Sequence, residues 1–430
     1  MVAVTIGGLV LCPLWATFQA TWPVLVGTCF LAGGGLGILW HRDTLSMRAV
    51  LWGAFLLRLV FLPLLPGLTD DAFRYIWDGM LQWEGINPYR YVPSDPALAG
   101  FQDTEVYERL NSPEYYSIYP PLTQVFFAVG GLFYQGSWLP AYYVLKAVLV
   151  AVETSGVVLL SRLAEARTVL LYAWNPLVLL ETAGQGHTEA LLVPLLFLSL
   201  WAVRHRRGRV ASLAIAAAGF VKIYPLALGP FLLRRFGWRA VWPGAVLGLG
   251  LSIPYAAPYT LPHIKASMDL FARLFEFNAG PYYLVKHMLW FGTGSDWSKT
   301  IGPAFRALFL SSLPLFYVLD AWLDWSFRRA SLFLLGTLFA LSTTVHPWYL
   351  LPVLGLGVLG ARPSWAWLWL GLCSIGTYLF YIGGPYWVWI WMGWGGAAVL
   401  AAFRLRTPRT PWAVPASPDV SSGQESHGRF

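Results

Sequence analysis

The sequence predicts an all-α, polytopic membrane protein with about twelve full spans and one half-helix hairpin. Of its 430 residues, 57% are hydrophobic and only 12% are charged, against roughly 45–50% and 25% in an average soluble chain. Apolar runs long enough to cross a bilayer recur along almost the whole chain, and basic residues gather in alternate loops. So few charges cannot cover a soluble protein of this size, and we expect lipid to solvate the chain.

The apolar runs give the order of the predicted elements. Pro225 lacks a backbone donor and disfavours helix just before it, so the sequence Lys222-Ile223-Tyr224-Pro225 divides residues 209–233 into two half-helices. The predicted full spans lie near residues 3–20, 23–41, 49–67, 138–161, 168–183, 188–203, 238–256, 300–322, 329–345, 347–361, 364–382 and 385–403.

The basic residues predict the orientation. Of the 29 lysines and arginines, 17 lie in loops that one alternating path places on the cytoplasmic side, if 209–233 is a hairpin that returns. The net charge of +8 is therefore a topology signal, and we expect no nucleic-acid partner. These residues are Arg42, Arg48, Arg162, Arg167, Arg204, Arg206, Arg207, Arg209, Arg234, Arg235, Arg239, Arg328, Arg329, Arg362, Arg404, Arg406 and Arg409.

Four regions follow from this pattern. Residues 1–67 form the N-terminal spans, 68–119 an outer loop that we expect to be catalytic, and 120–403 the transmembrane bundle. Residues 404–430, rich in Pro, Ser and Gly, are expected to form a disordered cytoplasmic tail.

The 68–119 segment holds nine of the 21 acidic residues and is far longer than a connection between helices requires. Its many aromatic residues argue against disorder, and we expect it to fold on the outer face of the membrane. Asp70 and Asp71 stand at its start, where either could be a general base. The alternative is a helix N-cap by Thr69 or Asp70, and the two roles can coexist.

Further polar residues are predicted at the outer membrane boundary, at the same level as Asp70 and Asp71. His187 and Glu189 lie in one outer turn, and His346 and Trp348 in another. Ordinary turn chemistry and aromatic anchoring at the membrane interface are the alternatives to a substrate role. His187, Glu189 and His346 lack helical metal-ligand spacing, so we predict no metal site from them.

Lys222, at the break in the predicted hairpin, is the best candidate to bind an anionic group. A buried cation within a span needs a partner or a purpose. The alternative to an anionic ligand is an ion pair with a buried acid such as Glu153 or Glu181.

Eight motifs run in order from about residue 70 to 350. They are DDAFRYIWDG (70–79), GINPYRY (85–91), YPPL (119–122), WNPL (174–177), GHTEA (186–190), KIYP (222–225), FN (277–278) and HPWYL (346–350). Together they resemble the GT-C-type glycosyltransferases, with the bacterial polyprenyl-phosphate-mannose-dependent mannosyltransferases as the nearest branch. Glu189 departs from that pattern, in which Asp is more usual, but keeps the carboxylate.

The resemblance implies a multi-pass enzyme of the cytoplasmic (inner) membrane whose active site faces outward. It would transfer a sugar, by expectation mannose, from a polyprenyl-phosphate donor to a glycan or glycolipid acceptor. A single displacement inverts the anomeric centre. No cofactor is certain, and a divalent cation that bridges an aspartate to the phosphate stays an alternative.

Carried over residue by residue, the resemblance makes Asp70 or Asp71 the catalytic base. Lys222, Arg273 and Arg90 would bind the donor phosphate, and Arg74 would steer one carboxylate. The expected substrate and acceptor site comprises Arg74, Tyr75, Trp77, Asp78, Asn87, Tyr89, His187, Glu189, His346 and Trp348.

Two other classes of function compete with this one. A transporter or lipid flippase also uses broken helices and buried charges, but its acidic residues are expected near the bilayer midplane. An O-antigen-ligase-like enzyme also has a large outer loop, which is expected late in the chain, whereas this one is early.

Overall fold

The fold is all-helical in a computed structural model that describes residues 1–360 and 362–406, without the side chains of 271–274, 405 and 406. Within that range the chain forms no strand beyond one isolated bridge between Phe277 and Thr344, which confirms the all-α prediction. Residues 407–430 of the predicted tail lie outside the described part.

The described residues form twenty α-helices, joined by short 3₁₀ turns and one π turn. They are α1 Val2–Ala16, α2 Trp22–Arg42, α3 Met47–Phe61, α4 Asp71–Trp83, α5 Glu105–Glu108, α6 Pro121–Leu132, α7 Trp138–Leu160, α8 Ala166–Ala173, α9 Pro176–Leu179, α10 Glu189–Arg204, α11 Gly208–Val221, α12 Gly229–Phe236, α13 Trp238–Ser252, α14 Thr260–Leu274, α15 Gly280–Thr293, α16 Ser298–Leu323, α17 Phe327–Ala340, α18 Leu351–Val358, α19 Trp365–Ile375 and α20 Tyr386–Arg406.

Several of these helices are long and apolar enough to cross a membrane. Five qualify singly, namely Gln19–Arg42, Trp138–Leu160, Ser298–Leu323, Trp365–Ile382 and Tyr386–Arg404. Two bent pairs raise the number to seven: Pro176–Gly184 with Glu189–Arg204, and Trp238–Tyr255 with Thr260–Leu270. Other predicted spans correspond to shorter apolar helices such as Val2–Ala16 and Pro347–Val358, so the count of twelve stays a prediction.

Basic residues from separate loops meet at one end of the bundle, which we call the arginine-rich end. Arg404 Nη2 donates to the Arg362 carbonyl at 2.7 Å. The buried Asp320 accepts from Arg234 Nε and Arg235 Nη2, both at 2.6 Å. The loops that the charge pattern assigned to one side of the membrane are therefore neighbours in space.

The segment from Gly208 to Phe236 leaves this end and returns to it. A β-carbon on Gly208 would stand only 2.7 Å from Phe236 Cγ, so the two ends of the segment touch. Between them the helix breaks at Lys222, whose backbone is extended, and a 3₁₀ turn follows from Tyr224 to Leu228 with Pro225 near its start. This arrangement agrees with the predicted hairpin.

The 68–119 segment folds at the opposite end of the bundle, which we call the loop end. Residues 72–81 of α4 are buried all round and pack with Leu98, Val106 and α6. Gly79 and Gly131 allow α4 and α6 to touch backbone to backbone, since a β-carbon on Gly131 would lie 2.3 Å from the Gly79 carbonyl. Because α4 is packed on all sides, the orientation of its first residues is fixed as well.

Direct bonds join the start of this segment to the turn between α9 and α10. The Leu68 amide donates to Gln185 Oε1 at 3.0 Å. The Tyr142 hydroxyl lies 3.3 Å from both the Leu64 and the Gly184 carbonyl oxygens. The residues around Asp70 and those around His187 are thus held against each other.

Candidate active site at the loop end

Asp70 and Asp71 stand at the start of α4. Asp70 occupies the N-cap position, but its side chain caps no helix amide and accepts a hydrogen bond from Asn111 Nδ2 instead. Burial, and then the charge of Asp71, raise the pKa of Asp70 from 3.8 to about 6. A carboxyl with such a pKa is partly protonated near neutral pH, which is unusual for a helix cap and common at functional sites.

Asp71 turns toward His187. Its Oδ2 lies 3.9 Å from His187 Nε2, which also lies 3.2 Å from the Thr69 hydroxyl. On the other side of the ring, Nδ1 lies 2.9 Å from Oε2 of the fully buried Glu181. The imidazole therefore stands between two carboxylates.

A stack of flat rings fixes His187. Its ring lies parallel to the indole of Trp348 with a centroid distance of 3.9 Å, and His346 stacks on the same indole at 4.4 Å. Phe277 continues the stack on His346 at 4.9 Å. Burial, then the charges of His187 and Lys222, lower the pKa of His346 to about 3, so His346 is neutral at physiological pH.

Lys222 lies beside Glu189. Its Nζ is 3.3 Å from Glu189 Oε1, and it lies over the rings of Tyr119 and Tyr349, at 5.7 and 5.4 Å from their centroids. The alternative of an ion pair with a buried acid is therefore confirmed, but the acid is Glu189: Glu153 pairs with Arg58, and Glu181 contacts Tyr378 and His187. Lys222 keeps 17% of its side chain exposed, so a ligand can reach it.

Asp71 and Glu189 border the same tyrosine. Burial raises the pKa of Tyr75 well above its ordinary value, and the charges of Tyr119, Asp71 and Glu189 raise it further. Tyr119 meets Tyr75 edge-on with 5.3 Å between ring centroids. The acid Asp71 and the pair of Lys222 with Glu189 therefore belong to one cluster, which we call the loop-end cluster.

Several buried polar atoms of this cluster have no hydrogen-bond partner among the described residues. They are both carboxylate oxygens of Glu189, Thr188 Oγ1, Tyr224 Oη, His346 Nδ1 and His187 Nδ1, which lies near Glu181 without hydrogen-bond geometry. Unpaired buried polar groups are costly and uncommon in folded proteins. Donors and acceptors arranged together beside a cation suit a ligand that carries both hydroxyl groups and an anionic group.

Arg74 and Asp78 lie elsewhere, inside the 68–119 segment. Arg74 Nε donates to Asp78 Oδ1 at 2.9 Å, and Nη1 donates to the Tyr115 carbonyl at 3.0 Å. Asp78 also accepts from Ser117 and Gln124. Arg74 thus holds the segment together through Asp78, and neither Asp70 nor Asp71 is its ion-pair partner.

Other predicted substrate residues also serve the fold of this segment. Trp77 is buried against the rings of Phe101 and Tyr107. Asn87 Nδ2 donates to the Tyr255 carbonyl at 3.2 Å, and the buried Tyr89 donates to the Tyr119 carbonyl. The structure therefore brings His187, Glu189, His346, Trp348 and Tyr75 to the cluster but uses Trp77, Asn87 and Tyr89 to shape the segment.

Arg90 and Arg273 are the two other residues predicted to bind the donor phosphate. Arg90 is exposed and lies over the Tyr91 ring at 4.9 Å. The side chain of Arg273 lies outside the described residues. As for a metal, the described part of the chain contains no group of three His, Cys, Asp or Glu residues that could hold one.

Two residues of the site have weak sequence signals, and a third has a stronger one. Asn111 lies in an ordinary loop, and Tyr378 is one of many aromatic residues in its predicted span. Glu181 gave a stronger signal, because a carboxylate inside a span needs a partner. Its partners could not be identified from sequence, since Tyr378 is 197 residues away along the chain.

We expect Asp70→Asn to be more stable than the wild type at pH 8 and to lose that advantage near pH 4. The folded-state pKa is about 6 and the ordinary value 3.8, so the folded chain binds more protons between these values and loses stability as the pH rises through them. Asn is neutral throughout and avoids this cost, at most about 3 kcal/mol. Melting temperatures in detergent from pH 4 to 8 check this, and a difference independent of pH would contradict it.

Comparison with known families gives one match. Residues 1–236, more than half of the chain, match a family model described as "Alpha-(1->6)-mannopyranosyltransferase, N-terminal domain". The matched part contains Asp70, Asp71, His187, Glu189 and Lys222, whereas His346, Trp348 and Tyr378 follow it. Neither the curated proteins nor the solved structures give a match.

Proposed function

The chain belongs to the family of α-(1→6)-mannopyranosyltransferases, and from this premise we propose that it transfers mannose from a polyprenyl-phosphate donor to an acceptor hydroxyl. Transfer takes place at the loop-end cluster, on the outer face of the membrane. Membership of a mannosyltransferase family favours this reaction over the transporter or flippase alternative. The linkage in the family description suggests a 6-hydroxyl of a mannose-containing glycan or glycolipid as the acceptor.

One observation carries the assignment of the site. Burial and then the charge of Asp71 raise the pKa of Tyr119, and Lys222 Nζ lies 5.7 Å from the centroid of the same ring, so an acid and a cation stand beside one tyrosine. Glycosyl transfer from a lipid phosphate needs both of these groups, one for the acceptor proton and one for the leaving phosphate. Asp70 is engaged by Asn111 instead, and we assign the base to Asp71.

The reaction is a single displacement at the anomeric carbon. The acceptor oxygen attacks that carbon as its proton passes to Asp71, and the bond from the carbon to the phosphate oxygen breaks. The electron pair leaves with the polyprenyl phosphate, whose growing negative charge Lys222 stabilises. Inversion turns a β-linked donor into an α-linked product, in keeping with the family description.

The unpaired polar atoms of the cluster suit the transferred sugar. The Glu189 oxygens can accept hydrogen bonds from hydroxyl groups, and Tyr224 can donate to them. His346 is neutral, so it offers a sugar a hydrogen bond without a charge.

A transfer assay with the purified protein in lipid nanodiscs tests the proposal. Polyprenyl-phosphate-mannose and polyprenyl-phosphate-glucose are each supplied with an α-mannoside acceptor, and the product is analysed by mass spectrometry and linkage analysis. We expect a new α-(1→6)-mannoside from the first donor and at least about 10-fold less product from the second. Equal transfer of both sugars would contradict mannose specificity. Movement of donor across the bilayer without transfer would favour a flippase.

A further inference from the structure

The two ring nitrogens of His187 face two different carboxylates, a buried one on Glu181 and a partly exposed one on Asp71. Glu181 is fully buried, and its Oε2 lies 2.9 Å from His187 Nδ1. His187 Nε2 lies 3.9 Å from Asp71 Oδ2, where 24% of the aspartate side chain is exposed. An imidazole aimed at an accessible carboxylate by a buried one is a common way to fix both the proton position and the ring orientation.

The buried carboxylate is itself held from a distant part of the chain. The Tyr378 hydroxyl lies 2.9 Å from Glu181 Oε1 and 3.0 Å from Oε2. Tyr378 is buried as well, and its ring contacts Trp22 edge-on. Glu181 therefore accepts a hydrogen bond from Tyr378 and faces His187 Nδ1 at 2.9 Å, and these two contacts fix its orientation.

The imidazole has little freedom to turn. Trp348 stacks on its face at 3.9 Å with only 10° between the ring planes. The main chain is fixed too, because Gly186 has a positive φ of 80° and the His187 amide donates to the Glu181 carbonyl at 2.9 Å. The direction in which Nε2 points is therefore set by the stacked Trp348 ring and by the fixed main chain at Gly186 and His187.

We propose that Tyr378, Glu181 and His187 form a positioning chain that holds His187 Nε2 toward Asp71, where the imidazole orients this carboxylate and favours its charged form for the acceptor proton. This inference rests on the proposed function in one respect, the role of Asp71 as base. It adds that residues from both halves of the chain set the pH range in which the base works.

Other charged and titratable groups surround the chain of three residues. Cys29 lies close enough to Glu181 for their charges to interact, and His346 and Glu189 interact with His187 and Glu181 respectively. The groups that face His187 and Glu181 are thus Asp71, Thr69, Tyr378, Cys29, His346 and Glu189. Asp71 and Glu181 are the two that lie within 4 Å of the imidazole nitrogens as ion-pair partners.

The test compares Tyr378→Phe, Glu181→Gln and His187→Gln in the mannosyl-transfer assay across pH. Each variant removes the charge or the orientation of the imidazole, and an adjacent positive charge favours an ionised carboxylate. We expect the acid limb of the pH–rate profile to move to higher pH by at least about half a unit in each variant. At pH 7, kcat should fall about 10-fold for Tyr378→Phe while the KM for donor changes less than 2-fold.

Two matched controls remove the same groups away from the site. Tyr317→Phe removes a hydroxyl that donates to the Ala227 carbonyl at 3.0 Å, and His205→Gln removes an imidazole bonded to the Trp201 carbonyl. Both should retain the wild-type pH profile. If the three test variants lose activity with an unchanged acid limb, their role is only structural and the proposal is wrong.

A second measurement does not depend on activity. Melting temperatures of the wild type, His187→Gln, Asp71→Asn and the double variant form a cycle that measures the coupling of the two residues. We expect a clear departure from additivity at pH 7, and additive effects would overturn the proposal. If the wild type transfers no mannose, the proposed function fails, and this cycle still decides whether His187 acts on Asp71.

Discussion

Asp71→Asn should lower mannosyl transfer by about 10²–10⁴-fold, because it removes the group that accepts the proton of the attacking hydroxyl. Asn keeps the size of the side chain and the start of α4, so the protein should insert and fold normally. The loss should appear in kcat, since the amide can still occupy the same space beside His187 without accepting a proton. Single-turnover transfer from labelled polyprenyl-phosphate-mannose measures the effect directly.

Two comparisons make this result specific. Asp70→Asn should cost less than about 10-fold, because Asp70 faces Asn111 and acts on Asp71 only through its charge. Asp103→Asn neutralises an exposed carboxylate of the same segment and should leave transfer unchanged. A large loss in Asp70→Asn with near-normal Asp71→Asn would reverse the assignment of the base. Near-normal activity in both would remove the general base from this pair.

Local sequence patterns predicted the helical elements and the start of the site. Pro225 after Lys222 marked the break in the hairpin, because proline acts on the backbone beside it. The doublet Asp70-Asp71 after Pro66-Gly67 marked a helix start, and Asp70 does occupy the N-cap position. These features depend on neighbours in the chain, which a single sequence displays.

Partners across the bundle could not be predicted in the same way. The sequence offered Glu153 and Glu181 as examples of a buried partner for Lys222, whereas the structure pairs it with Glu189. Only the packing of α10 against α11 distinguishes Glu189 from the others. The pair of Arg74 with Asp78 is the exception, since its spacing of four residues on a helix was visible and could have indicated a structural role.

Lys222→Met should lower kcat/KM for the donor by about 10²–10³-fold, because the departing phosphate loses the cation that stabilises its charge. The same change leaves the Glu189 carboxylate buried without its ion-pair partner, at a cost of about 3–5 kcal/mol. A fall in melting temperature is therefore expected as well, and activity alone would not separate a catalytic lysine from a structural one.

The double variant Lys222→Met with Glu189→Gln separates the two roles. Glutamine removes the unpaired charge, so the melting temperature should return toward the wild-type value, whereas transfer should stay low because no cation faces the phosphate. Lys222→Arg keeps a cation beside Glu189 and should retain more activity than either Met variant. Recovery of both stability and transfer in the double variant would mean that Lys222 serves only as the counter-ion of Glu189, and the phosphate would then need another cation.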